Sequence, residues 1–376
     1  MTQEELANSA GISVGALRKL EQDQRRSARL DTIEALAKAL DVPISELHGV
    51  QPGLAPHSDV ATLRAAIYDR TDDHEPLNLE LLRQQVLDMR GLYWHARYTA
   101  LAEAVPRHLA YARSAVRAAV GDEQRRTAQA LLAESLQIAA SLVTQLAHED
   151  LAHVALMQAT EAASAAEDPL LVAAQHSATA WVLSRQGLWQ QAQTLATEAA
   201  AEVEPILSKA PVDQIGMWGE LLHFGMVALA REGRQGEAHE LLSLVQAAGQ
   251  AIGSRTPTKY KIPFSRTWAE HSAVQLAQST DQPEKALRAA EQVASLDALP
   301  PATQARFLLN KAWAATLLWR SQDALDSLKR IEEIAPELLD HHGLARSIVE
   351  ELMPRRRKQR LSGLKSIAER MGVTDE

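Results

Sequence analysis

Residues 180–192 read AWVLSRQGLWQQA, and this stretch decides the fold. Ala180 and Ala192 stand twelve residues apart, the turn signal Gln186-Gly187 lies between them, and helical patterning continues on both sides. The interval recurs at Ala140 and Ala152, Met226 and Ala238, Val274 and Ala286, and Ala312 and Ala324. EGRQGEA at 232–238 and DQPEKA at 281–286 place turn signals inside two more of these pairs. Each second alanine opens a new amphipathic helix, and Pro169, Pro205, Pro300 and Pro336 fall near the ends of four helices. Self-similarity at such a period is the mark of a repeat architecture, in which neighbouring units stack because none buries its apolar face alone.

Composition agrees. Hydrophobic residues make up 46% of the 376 and aromatics 4%, so small and aliphatic side chains must do most of the packing. Alanine, the best helix former, is abundant, while Gly (17) and Pro (15) cluster between helical stretches, which predicts an all-α chain. The absence of cysteine excludes disulfides, thiolate metal sites and cysteine nucleophiles. Neither a signal-peptide pattern nor a run of about 18 apolar residues occurs, so a cytoplasmic location is expected.

Formal net charge is −9, and a chain of that charge touches nucleic acid only through a local basic surface. Arg18, Lys19, Arg25, Arg26 and Arg29 form one such cluster against Glu21 and Asp23. Residues 354–360, PRRRKQR, form another, ahead of a last helix carrying Leu361, Leu364, Ile367 and Ala368 on one face. That segment is expected either to add a DNA contact or to be a solvated end.

The first 49 residues have their own logic. Thr2 and Glu5 have capping-box spacing, Gly11 suits a left-handed turn, and Ser13 can cap a helix from Val14 to about Gln22. Leu17 and Leu20 lie on the inner face of that helix, leaving Ser13, Val14, Gly15, Arg18 and Lys19 outward. A helix from Leu30 to Leu40 and a short one from Pro43 to Leu47 follow. TQEELANSAGISVGALRKLEQ (2–22) and LDTIEALAKALDVPISEL (30–47) resemble the Xre family, the Cro-and-repressor type of helix-turn-helix. The resemblance implies that Gln3 clamps a phosphate and that Ser13, Val14, Gly15, Arg18 and Lys19 face double-stranded DNA; Arg25 and Arg26 of the basic cluster are expected to join that surface. The family carries one more helix ahead of this motif, and Asp23 stands where it usually has Gly. Either the reading frame starts upstream of Met1 or the head is marginal.

Residues 50–76 are expected to be a linker and connecting helix, beginning within the Pro- and Gly-bearing HGVQPGLAPHSD (48–59). Residues 77–353 resemble the tetratricopeptide repeat, in which small residues twelve apart let paired helices approach closely. The second alanines are spaced 40, 46, 48 and 38 residues apart, longer than the family's period of about 34. The resemblance implies a right-handed superhelix whose concave face carries Gln137, Trp181, His223, Phe224, Trp268, His271, Gln275, Asn310 and Trp313. An aromatic and amide lining suits a peptide or amphipathic small molecule, although each tryptophan taken alone fits core packing as well. GSRTPTKYKIPFSRTW (253–268), with Arg255, Lys259, Lys261 and Arg266 among aromatics, is either a ligand-holding loop or an ordinary connection.

Catalytic chemistry is not expected. In HEDLAH, His148 and His153 are five apart and so turned about 140° from each other, whereas the zinc motif needs four. His341 and His342 are adjacent, and neither a phosphate loop nor a nucleophile elbow occurs. The whole reads as a DNA-binding transcription regulator needing no cofactor or metal. A homodimer is expected, on paired operator half-sites, with a peptide or small-molecule effector. The alternative is a helical-repeat scaffold with a degenerate head.

Overall fold

The computed structural model describes residues 2–21, 32, 35–36, 39–40, 58–69, 75–357 and 359–373. Their regular elements are all helices, with no strand among the described residues. In the head, α1 (Gln3–Ser9) begins in the expected capping box: Thr2 Oγ1 accepts from Glu5 N at 3.2 Å, and Thr2 N donates to Glu5 Oε2 at 2.7 Å. The chain turns through Gly11 at φ +66° into α2 (Val14–Glu21), whose Ala16 N is capped by Ser13 Oγ at 3.2 Å. Ala7, Ala10, Leu17 and Leu36 make the small core. The helix expected at Pro43–Leu47 lies outside the described residues, as does most of the Leu30–Leu40 helix.

The body opens with α3 (Ser58–Tyr68) and continues as six helix hairpins. They pair α4 (Leu79–Trp94) with α5 (Tyr98–Ala118), α6 (Asp122–Gln145) with α7 (Glu149–Ala165), and α8 (Pro169–Arg185) with α9 (Trp189–Glu202). The others pair α10 (Val212–Arg231) with α11 (Gln235–Ile252), α12 (Arg266–Ser279) with α13 (Pro283–Gln292), and α14 (Pro301–Leu317) with α15 (Ser321–Ile334). Each hairpin turns through one left-handed residue: Ala96, Ala147, Gly187, Gly233, Asp281 or Trp319. The N–H of the following residue then reaches the carbonyl five back at 2.8 to 3.0 Å, a Schellman closure that satisfies the helix end.

The alanine pairs sit where these turns need them, the second member always five residues after the left-handed residue. All ten paired residues are at most 1% exposed, so the helices of each hairpin meet closely along them. The first hairpin fits the same frame with Met89 and Leu101, both buried, which larger side chains hid from the alanine pattern.

The first helices of the hairpins also pack in sequence. α4 lies on α6, and contacts run on through α8, α10, α12 and α14, which comes back onto α4. The inner face expected to be an open concavity is therefore closed into a ring. Arg306 of α14 donates to the Tyr93 hydroxyl of α4 at 3.1 Å. Thr99 N and Oγ1 both donate to Glu337 Oε2, at 2.8 and 3.1 Å, across the same seam.

The chain's two approaches to the ring are tied down. Leu63 and Ile67 of α3 are buried against the body, and the buried Arg113 guanidinium donates to the Ala66 and Ile67 carbonyls at 2.5 and 3.0 Å, where the α3 dipole is negative. After α15 come α16 (Pro336–His341), α17 (Gly343–Leu352) and α18 (Leu364–Arg370). Leu364, Ile367 and Ala368 of α18 are buried on the body, and Arg370 pairs with Glu332 and Asp340 at 3.0 and 2.8 Å. The basic run ahead of it is in part structural. Arg355 is buried, pairs with Glu351 at 2.8 Å and lies 4.1 Å over the Trp319 ring, so it is not a DNA contact.

Candidate functional site

Two sites are positioned by this fold. The first is the outer face of α2. Gly15 and Arg18 are exposed there, and a Cβ added at Gly15 would meet open space. Ser13 is exposed but its hydroxyl caps the helix. Val14 differs from expectation: it is half-buried and packs on the head's apolar core. The Lys19 side chain, Arg25 and Arg26 lie outside the description. Gln3 brings the two helices together, its Oε1 accepting from Arg18 Nε at 3.1 Å and its Nε2 donating to Glu21. The amide expected to grip a phosphate thus sits beside the arginine expected to face the groove.

The second site is a cavity of about 440 Å³ lined by the inner helices of the ring. Gln137, Trp181, His223, Phe224, Trp268, His271, Gln275 and Asn310 all stand in its wall. Trp313 does not, which corrects its assignment. It is fully buried in the main core, because three residues beyond Asn310 the helix has rotated it away from the cavity.

The polar wall has a defined polarity. Arg231 carries only donors, so the Gln278 oxygen faces it at 2.9 Å and also accepts from Gln275 Nε2 at 3.2 Å. Gln275 Oε1 in turn accepts from Asn310 Nδ2 at 2.7 Å, and the same amide group lies 3.3 Å from His271 Nε2. That nitrogen must accept, which leaves the His271 proton on Nδ1. A second chain fixes His223. Ser272 Oγ donates to the Trp268 carbonyl at 3.1 Å and so accepts from His223 Nδ1 at 2.8 Å, leaving His223 Nε2 as an acceptor.

Both rings are neutral near pH 7. Burial pushes the His223 imidazolium down to about 4. Burial, together with His223 and Arg306 nearby, pushes that of His271 to about 3. Opposite in sense, burial pushes the Glu220 carboxyl up to about 7, with Arg90 opposing the rise.

Residues 253–265 close one side. Pro257 and Phe264 lie against α10 because Gly216 and Gly219 have no side chain: a Cβ at Gly219 would come within 2.3 Å of the Phe264 ring. Arg90 donates to the Tyr260 carbonyl at 2.8 Å, and the Tyr260 hydroxyl donates to Asp168 at 2.5 Å. Tyr260, Ile262 and Pro263 face the cavity, whereas three cations of this segment are engaged elsewhere. Lys259 pairs with Asp168 at 3.7 Å, Arg266 with Glu270 at 3.2 Å, and Arg255 bonds backbone carbonyls.

Charged wall residues escaped the sequence reading. Glu220 precedes His223 by three residues, Arg185 follows Trp181 by four, and Arg306 precedes Asn310 by four. Each shares a helix face with a residue that was chosen, so the spacing signal was present. Tyr93 and Arg90, from the first hairpin, and His342, from beyond the last, also line the cavity.

No described helix is long and apolar enough to cross a membrane. No curated protein matches the chain. Residues 1–47 match the helix-turn-helix family model, which covers the head and leaves the ring outside the match, and the match fits a DNA-binding regulator.

Proposed function

We propose that the chain is a cytoplasmic DNA-binding transcription regulator of the Xre type, whose ring of tetratricopeptide-like hairpins binds a peptide or small molecule. The observation that carries the DNA-binding part is the helix-turn-helix match at residues 1–47. It is supported by the exposed Arg18 on a helix whose cap and core follow the motif. The body's repeat character is supported by the twelve-residue pairs and the shared Schellman turns. Effector binding is supported by the cavity inside the ring, whose size and mixed aromatic and polar wall suit a small ligand.

On this reading two copies bind half-sites about one helical turn apart. An effector shifts DNA affinity only if it binds the DNA-competent and incompetent arrangements unequally. Selection of genomic DNA fragments by the full chain, followed by footprinting, tests the proposal. Two protected half-sites related by a two-fold axis are expected. Failure to enrich any sequence would count against it.

A further inference from the structure

The cavity wall holds an electrostatic imbalance in one corner. Arg185, Arg306 and His342 meet there, beside Tyr93 and Trp181. Arg185 has a carboxylate partner, Glu149 at 3.7 Å, and sits in the last turn of α8, where the helix dipole favours a cation. Arg306 has neither advantage. It lies within α14 rather than at its C-terminal end, donates to the neutral Tyr93 hydroxyl, and stands 5.7 Å over the Trp181 ring. No carboxylate pairs with it among the described residues. His342 adds no charge, because burial and the two guanidiniums push its pKa down to about 3. Of the corner's two guanidiniums, only Arg185 is paired with a carboxylate among the described residues.

A partly buried cation without a carboxylate partner is stabilised when an anion meets it. The Tyr93 bond uses one of five guanidinium N–H donors, and a carboxylate can take two of the others side by side. The rest of the wall mixes the aromatic Trp94, Phe224 and Trp268 with amides and with the charged Arg90, Glu220, Arg231 and Asp281.

We propose that the cavity takes a monoanionic organic acid with an apolar or aromatic body, its carboxylate gripped by Arg306. This rests on the ring being a ligand-binding module. The planar Arg306 guanidinium matches a carboxylate side by side, while Arg231, another wall guanidinium with no carboxylate partner among the described residues, is met by the Gln278 oxygen. The aromatic wall favours a body with a π-face or an alkyl chain, and the neutral His223 Nε2 and Asn310 offer hydrogen bonds along it.

The test is calorimetric titration of the full chain with indole-3-acetate, 4-phenylbutyrate and decanoate, each beside its neutral amide. At least one acid is expected to bind about tenfold or more tighter than its amide, as a charge-assisted bond predicts. Arg306→Gln is expected to abolish that preference and Arg306→Lys to keep part of it. Acids and amides binding equally, or an acid preference that survives Arg306→Gln, would overturn the anion assignment and leave the ring's ligand-binding role standing. No binding by any acid or amide would overturn both. The comparison of acid with amide on the wild-type chain needs no variant to fold.

Discussion

The Tyr93 hydroxyl accepts from both Arg306 at 3.1 Å and Gln145 at 3.3 Å, joining the last hairpin of the ring to the first two. A single phenolic oxygen thus serves the seam and the cavity at once. Tyr93→Phe leaves two donors without their acceptor, and a cost of about 1–3 kcal/mol is expected in urea unfolding. Unchanged stability would mean that the seam is held elsewhere.

Glu220 makes stability depend on pH in a particular direction. Its folded pKa of about 7 lies above its ordinary value of 4.5, so its contribution is intact below 4.5 and is lost as pH rises through 7. Glu220→Gln is expected to stabilise the chain at pH 8, by up to about 3 kcal/mol, and to do little at pH 4. Equal effects at both pH values would contradict the assignment of a buried, neutral carboxyl.

The histidines act in the opposite sense. Their folded pKa values of about 4, 3 and 3 for His223, His271 and His342 lie below the ordinary 6.5. Stability is therefore complete above 6.5 and falls as pH drops toward those values. In the Glu220→Gln background, where the carboxyl no longer offsets it, urea midpoints should decline steadily from pH 7 to pH 5. A flat profile there would show that these rings protonate freely in the folded state.

Gly219→Ala should be costly. The new methyl would meet the fully buried Phe264 ring at 2.3 Å, and about 1–3 kcal/mol of destabilisation is expected from overpacking. Gly91→Ala, in the interior of α4 with nothing within 4 Å of its Cβ, should instead stabilise by about 0.5–1 kcal/mol. Thermal melts of the two variants moving the same way would contradict the packing described for residues 257–264.

The sequence made the hairpins legible because close helix approach demands small residues at fixed positions, and Ala140 with Ala152 meets that demand visibly. Met89 and Leu101 meet it with larger side chains, so the first hairpin passed unnoticed. Three of the six turns were hard to see for a related reason. Ala96, Ala147 and Trp319 adopt the left-handed conformation that glycine normally signals, as does Asp281, whose turn DQPEKA marks. Eight of the residues chosen from helix periodicity stand in the cavity wall, and Trp313 does not, because a step of three residues moves its side chain off the wall. Ring closure was not legible at all. It depends on contacts such as Arg306 with Tyr93, separated by more than two hundred residues, and no local pattern records them.

The most direct test of the regulator reading is a salt-series DNA-binding measurement on promoter fragments near its own gene. It compares the wild-type chain with Arg18→Ala/Lys19→Ala. Tight binding is expected, weakening as salt rises, with the double variant weaker throughout and its salt slope smaller by up to about 2. No binding at low salt, or equal binding by the double variant, would contradict the account and leave a helical ring whose head does not read DNA.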